Sequence, residues 1–190
     1  MKSTSLLVVD LQNDFCPGGA LPVRDGHKIV PVVNMLIACA ESACWPIFAS
    51  RCWHPETTSH FNTSGGQWPP HCVQGTRGAE LHPKLKLIKS FIMISKGTKP
   101  NEDAYSAFDE PRLPSELRKR KTKRLIVCGL ATDYCVKATA LDARRYGFEV
   151  ALIENACAAV NINPDDGEKA LAEMQQAGVV IETFAPFAFE

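Results

Sequence analysis

Reactive side chains follow four separate runs of apolar residues in this sequence. Asp10 ends the run SLLVVD, RCWH follows WPIFAS, Lys96 follows FIMIS, and Cys135 lies one turn beyond RLIVCG. A thiol, a carboxylate and an ammonium group can together perform nucleophilic catalysis. The thiolate attacks, the carboxylate takes the thiol proton, and the cation stabilises the negative charge.

The position of Cys135 favours a reactive thiol. It follows a strand pattern and a turn and opens a helical pattern, so the helix dipole is expected to favour its thiolate. Lys96 nearby is expected to lower the pKa of the thiol further, and backbone N–H groups in the turn LATDYC could hold an oxyanion. Taken singly, a cysteine, an aspartate and a lysine at such positions also have structural explanations. Their joint placement favours catalysis.

The apolar runs predict about six strands. They are continuous rather than alternating, as in strands covered on both faces of a parallel sheet. They cover 5–10, 45–50, 91–95, 124–129, 148–153 and 179–184. With helical patterns between several of them, they predict one domain, 1–190, folded as a three-layer α/β/α sandwich with a mainly parallel sheet. Ligands of such folds bind outside the carboxyl ends of the strands, where the reactive groups fall.

Helical periodicity is clearest over 28–44, over 135–146 and before Gly178. The last helix is predicted to have Asn163 as its N-cap and Pro164 at its first position. The basic run at 118–124 is predicted to end a further helix and lead into the next strand, because cations suit a helix C-terminus.

An irregular segment, 52–90, interrupts the alternation of strands and helices and is rich in possible metal ligands. Cys52, His54, His60 and His71 lie within it. Imidazole and thiolate groups bind divalent transition metals, and a thiolate would favour zinc. The alternative is a group of surface histidines beside a buried cysteine, since the spacing matches no zinc-finger pattern.

Several motifs resemble a known family. VVDLQNDFCPGGALPV, SKGT, GLATDYCVKATALDA and WPPHCVQGTRGAELHP are similar, in order and over nearly the whole chain, to the nicotinamidase/pyrazinamidase branch of the isochorismatase-like hydrolases. The resemblance implies an Asp10, Lys96 and Cys135 triad, a cis peptide at Leu130–Ala131, and an oxyanion hole formed by the N–H groups of Ala131 and Cys135. The implied reaction converts nicotinamide, or pyrazinamide-like amides, to the acid and ammonia through a cysteine thioester.

The same resemblance implies one divalent metal ion that coordinates the substrate's ring nitrogen. Zinc is expected first, with iron or manganese as alternatives. His54, His60 and His71 match the family pattern, but Cys52 stands where the family has a metal-binding aspartate. Cys52 could therefore bind the metal as thiolate, point away from a three-histidine site, or accompany loss of the metal. We expect a retained metal, with Cys52 among its ligands.

Aromatic side chains are expected around a flat heteroaromatic amide. By resemblance, Phe15 and Trp68 match ring-contacting positions. Leu130 is a further candidate for substrate binding, and Tyr105 and Tyr134 are weaker ones. Ordinary core packing is the alternative explanation for Phe15.

The composition excludes several other functions. Acidic and basic residues balance at 21 each, so no nucleic-acid or membrane partner is expected. The N-terminal apolar run is too short for a signal peptide, and the eight cysteines show no paired spacing, so we expect a cytoplasmic protein with free thiols. A homo-oligomer is left open. The alternative functions are hydrolysis of another amide, a ureide or isochorismate, a non-enzymatic metal-binding relative, and a redox-sensing thiol protein.

Overall fold

A six-stranded parallel sheet forms the centre of the protein. The computed structural model describes residues 3–185, so residues 1–2 and 186–190 of the predicted domain lie outside the described part. The strands are β1 (Thr4–Val9), β2 (Ile47–Cys52), β3 (Ile92–Lys96), β4 (Arg124–Leu130), β5 (Glu149–Ala158) and β6 (Val180–Glu182). Their order is β3-β2-β1-β4-β5-β6, with every pair parallel. The α/β fold and its parallel six-stranded sheet, both predicted from the apolar runs, are confirmed.

Helices cover both faces of the sheet. They are α1 (Val30–Ser42), α2 (Arg112–Lys119), α3 (Lys137–Arg145) and α4 (Asp166–Gln176). Helix α1 leads from β1 to β2. Helices α2, α3 and α4 connect strands in the opposite direction along the sheet, so right-handed crossovers place them on the face opposite to α1. All six residues of β1 are buried, as expected for the central strand of a three-layer fold. Among the described residues, no helix is both long and apolar enough to cross a membrane.

Two helix starts differ from the predictions. Helix α4 begins at Asp166, and its N-cap is Asp165 rather than Asn163. The reason is local: the N–H of Asn163 donates to the carboxylate of Asp166, which closes a turn before the helix begins. Cys135 lies inside a π-helical turn, Thr132–Val136, and the regular α-helix begins only at Lys137.

The segment between β2 and β3 contains no α-helix or strand, in agreement with the predicted irregular segment. A buried glutamine attaches it to the sheet. Gln12 donates to the carbonyl oxygens of Cys52 and Ala79 at 2.8 and 2.9 Å and accepts from the N–H of Cys52 at 2.8 Å. Both hydrogen-bonding ends of this side chain are thus used to hold the end of β2 against the segment.

Candidate active site

The carboxyl ends of β1, β2 and β3 and the turn after β4 meet at one edge of the sheet. Asp10 directly follows β1 and has a φ of 45°, in the left-handed region that few residues other than glycine adopt. Its carboxylate is fully buried and accepts a 2.7 Å hydrogen bond from Ser50 Oγ on β2. Ser50 therefore orients the carboxylate towards the neighbouring strand ends.

Lys96 lies at the centre of this cluster and is 2% exposed. Its Nζ is 2.9 Å from Asp10 Oδ2, 3.0 Å from Cys52 Sγ, 3.4 Å from Cys135 Sγ and 3.0 Å from the carbonyl oxygen of Ala104. Burial alone would lower the pKa of Lys96, but Asp10, followed by the two cysteines, raises it well above its usual value. Lys96 is therefore a buried ammonium ion that contacts the carboxylate and both sulfurs.

The turn that carries Cys135 has unusual backbone geometry. The peptide bond between Leu130 and Ala131 is cis, as the family resemblance implied. The carbonyl oxygen of Ala131 accepts from the N–H groups of Tyr134 and Val136, both at 3.1 Å, which produces the π-helical turn. The Asp133 carboxylate accepts from the N–H groups of Val160 and Asn161 at 2.9 and 2.8 Å, which attaches the turn to the segment after β5.

The strand before this turn approaches β1 so closely that it requires glycine. Gly129 has a φ of 122°, and a Cβ there would lie 2.0 Å from the carbonyl oxygen of Val9. No other residue fits this position without moving the backbone of β1. Gly129 thus brings the cysteine turn next to Asp10.

The prediction of a lowered pKa for the Cys135 thiol is wrong for this arrangement. Interaction with the neighbouring Cys52 thiol, followed by burial, raises the pKa of Cys135 well above its usual value, although Lys96 acts in the predicted, lowering direction. The second sulfur was the unforeseen influence, because Cys52 was expected among the histidines. Cys135 therefore rests as a thiol, and its proton must be removed during attack.

The three histidines form a second cluster beside the first. His54, His60 and His71 are buried, and one ring nitrogen from each lies within 4.8 Å of the others. Each Nδ1 lies close to an oxygen that can only accept a hydrogen bond. Nδ1 of His54 is 3.2 Å from the carbonyl oxygen of Gly97, and Nδ1 of His71 is 2.8 Å from that of Pro69. Nδ1 of His60 is 2.5 Å from the carboxylate of Asp103. Since these oxygens only accept, Nδ1 carries the proton and Nε2 keeps its lone pair.

This cluster fits a divalent metal ion. Burial, followed by the neighbouring charges, lowers the pKa of His54 to about 3. Burial lowers the pKa of His71 to about 4, although the hydrogen bond with Pro69 acts in the opposite direction, and burial also lowers the pKa of His60. The imidazoles are therefore neutral at pH 7, the form that binds metal. Nε2 of His54 is buried with no hydrogen-bond partner, a costly arrangement that a metal ion would relieve.

Cys52 does not lie in the histidine group. Its sulfur lies instead with Asp10 and Cys135 in a separate cluster, in which the three ligand atoms are within 4.8 Å of one another. Of the three possibilities for Cys52, this placement corresponds to a thiol that points away from a three-histidine site.

The predicted substrate-binding side chains line one pocket above Cys135. Phe15, Trp68, Tyr105 and Leu130 all contribute to its wall, together with Ala131, Tyr134, His60 and His71. Trp68 Nε1 donates to the hydroxyl of Tyr105 at 2.8 Å, and the Trp68 ring meets Tyr134 edge to face. The pocket wall is therefore largely aromatic and apolar, and it also includes the Cys135 thiol and two of the three histidines, His60 and His71.

Several positioning residues were missed by the sequence analysis: Gln12, Ser50, Asp103 and Asp133. Each acts through a hydrogen bond to a residue distant in sequence, so no local spacing marks it. Gln12, Ser50 and Asp133 are buried polar residues that need partners, but their burial is known only from the structure. Asp103 is exposed, so its residue type gave no such signal.

Comparison with known proteins identifies the family. The isochorismatase domain matches residues 4–185. The chain belongs to the isochorismatase family. It is 41% identical to a nicotinamidase of Escherichia coli (strain K12), with 97% of each chain covered.

Solved structures agree with this family assignment. The pyrazinamidase of Pyrococcus horikoshii in complex with zinc has a TM-score of 0.92 and 47% identity, covering 96% of this chain and 99% of that one. PnC1 from L. infantum in complex with nicotinate has a TM-score of 0.87 and 39% identity, covering 96% and 93%. These isochorismatase-family structures share the whole fold described above.

Proposed function

We propose that this isochorismatase-family protein deamidates nicotinamide, giving nicotinic acid and ammonia by attack of Cys135 on the carboxamide. The observation that carries the proposal is the contact of one buried ammonium, Lys96, with the Asp10 carboxylate and the Cys135 sulfur. The matched nicotinamidases and the nicotinate-bound structural relative support the substrate.

The side chains divide the reaction between them. As the Cys135 sulfur attacks the amide carbon, its proton passes to Asp10, which then delivers it to the departing ammonia. Water hydrolyses the resulting thioester with Asp10 as the base, which releases the acid and restores the thiol. The N–H groups of Ala131 and Cys135 hold the oxyanion of each tetrahedral intermediate.

Lys96 stabilises negative charge as it moves through the site. Before attack the charge is on Asp10, and afterwards it passes through the sulfur to the oxyanion. Since the ammonium contacts both Asp10 and Cys135 and is excluded from water, it stabilises each state without rearrangement. The raised pKa keeps Lys96 charged throughout.

His54, His60 and His71 would hold one divalent metal ion, for which zinc is the first choice because these neutral nitrogen ligands suit it. When bound, the metal supplies a Lewis-acid site for a ring nitrogen and so orients the substrate. The aromatic wall of Phe15, Trp68 and Tyr105 then excludes water around the ring.

The test is release of ammonia from nicotinamide by purified protein, with Cys135→Ala measured beside it and bound metal quantified in both. Wild type should release ammonia and Cys135→Ala should not, with the same metal content. A folded, metal-loaded wild type that leaves nicotinamide intact would exclude this substrate.

Benzamide, which lacks the ring nitrogen, is the matched control substrate. We expect nicotinamide to be strongly preferred by zinc-loaded protein and the preference to disappear after chelation. Equal rates with both amides in the loaded protein would contradict a role for the histidine cluster in orienting the ring.

We also propose that the protein works in the cytoplasm and takes small amides rather than nucleic acid as its partners. All eight cysteines are free, which suits a reducing compartment. The site as described is complete within one chain, so a homo-oligomer would not be needed for the chemistry.

A further inference from the structure

A second thiol contacts the catalytic one. Cys52 and Cys135 share the Lys96 ammonium, at 3.0 and 3.4 Å from their sulfurs. Their sulfurs lie within 4.8 Å. A disulfide bond is about 2.05 Å long, so its formation requires the sulfurs to approach by less than about 3 Å.

Small oxidants can reach both sulfurs. Cys52 and Cys135 line the substrate pocket and are the two cysteines that do so. They are 3% and 8% exposed, whereas Cys72 and Cys128 are fully buried and lie outside the pocket wall. A peroxide that enters the pocket therefore meets the catalytic thiol and its neighbour together.

The surroundings also favour the oxidised intermediate. The ammonium of Lys96 stabilises negative charge on either sulfur, and therefore on a sulfenate at Cys135. A carboxylate at position 52, which the family pattern has, could not react with that sulfenic acid. A thiol there can, and its reaction ends the oxidation at a reversible stage.

We propose that Cys52 and Cys135 form a peroxide-sensitive pair in which Cys52 resolves the oxidised catalytic cysteine. As the Cys135 sulfur attacks a peroxide oxygen, its thiol proton passes to Asp10 and the O–O bond breaks. The departing hydroxide takes this proton, so with hydrogen peroxide the products are Cys135 sulfenic acid and one water. The Cys52 sulfur then displaces the hydroxyl group as a second water, which gives the Cys52–Cys135 disulfide. A dithiol reductant then reduces this disulfide, which restores both thiols, and is itself oxidised to a disulfide.

Disulfide formation blocks the cysteine that the proposed function uses as its nucleophile, so this inference rests on the proposed function. While the disulfide exists, Cys135 cannot attack an amide, so the protein is inactive but recoverable. Without Cys52, the sulfenic acid has no adjacent thiol and a second peroxide converts it to sulfinic acid, which a dithiol does not reduce. Cys52 thus protects the nucleophile from irreversible loss.

The experiment treats wild-type protein with hydrogen peroxide and maps its cysteines by peptide mass spectrometry before and after dithiothreitol. We expect loss of two hydrogens, a Cys52–Cys135 cross-linked peptide, and loss of ammonia release that dithiothreitol reverses. Cys52→Ser should instead gain two oxygen atoms at Cys135, and dithiothreitol should not reverse the change.

Cys16→Ser is the matched control, because Cys16 is buried close in sequence to the pocket residue Phe15 yet absent from the pocket wall. It should form the same disulfide as wild type. Sulfinic acid at Cys135 in wild type, or a disulfide to any other cysteine, would overturn the proposal even if Cys52→Ser fails to fold. Mapping the cysteines by mass spectrometry does not depend on enzymatic activity. If the reduced protein does not hydrolyse nicotinamide, the proposed function is contradicted, but disulfide formation can still be tested.

Discussion

Two buried polar clusters lie side by side at the carboxyl edge of the sheet, and they are stabilised in opposite ways. In the thiol cluster, the Lys96 charge is balanced by Asp10 and contacts both sulfurs. In the histidine cluster, three neutral rings donate outwards through Nδ1 and keep their Nε2 lone pairs, and His54 Nε2 lacks any partner. The first cluster is complete in itself and suited to moving protons. The second is incomplete and suited to binding a cation.

Cys135→Ala tests the thiol cluster most severely. It removes the nucleophile while leaving the histidines in place, so ammonia release should fall by roughly 10⁴-fold or more. Zinc affinity, measured by competition with a chelating dye, should stay at the wild-type value. The control Cys39→Ser, on α1 and away from the pocket, should keep full activity. A large loss of zinc affinity in Cys135→Ala would show that the two clusters are one.

Lys96→Met should be the next most damaging change. It removes the charge that stabilises the oxyanion, so kcat should fall roughly 10²–10³-fold. It also leaves the Asp10 carboxylate buried without its cation, which should lower the free energy of unfolding by about 3–5 kcal/mol. Denaturant unfolding measures the second effect. The control Lys28→Met, at an exposed ion pair with Asp25, should leave the unfolding midpoint unchanged. An unfolding curve unaltered by Lys96→Met would be incompatible with the buried pair.

Asp103→Ala tests the histidine cluster without changing the thiol cluster. Asp103 accepts from His60 Nδ1 and so holds the ring with Nε2 available for metal. Loss of such a partner weakens metal binding by about 10–100-fold, and Asp103→Asn, which can still accept, should recover part of it. The rate of Cys135 alkylation by iodoacetamide should not change. Glu56→Ala, at an exposed position of the same segment, is the control. Equal zinc affinity in all these variants would show that Asp103 does not contribute to metal binding.

Tyr105→Phe should have the smallest effect. It removes the acceptor of the 2.8 Å hydrogen bond from Trp68 Nε1 but keeps the ring in the pocket wall. A hydrogen bond of this kind contributes about 1 kcal/mol, so KM should rise about fivefold while kcat stays the same. Steady-state kinetics with nicotinamide separates the two constants. A fall in kcat alone would mean that Tyr105 acts on the chemical step.

The sequence was sufficient to predict the strands and the residues at their ends. Apolar runs are a local signal, and in a parallel sheet they bring Asp10 and Lys96 to the same edge. The placement of Cys52 was not predictable, because β2 continues to Cys52 instead of ending at residue 50. Its side chain then lies on the same side of β2 as that of Ser50, towards Lys96 and Asp10. The contacts of Asp103 and Ser50 join distant segments, so they required the structure.

The central place of β1 also affects how the chain is made. β1 is synthesised before both of its neighbours, β2 at 47–52 and β4 at 124–130. Until residue 130 has emerged from the ribosome, one edge of β1, all of whose residues are buried in the folded protein, keeps unpaired N–H and C=O groups and can pair with other chains. Fragments that end before β4 should therefore aggregate, and Asp10 acquires Cys135 as a neighbour only after β4 and the following turn have been added.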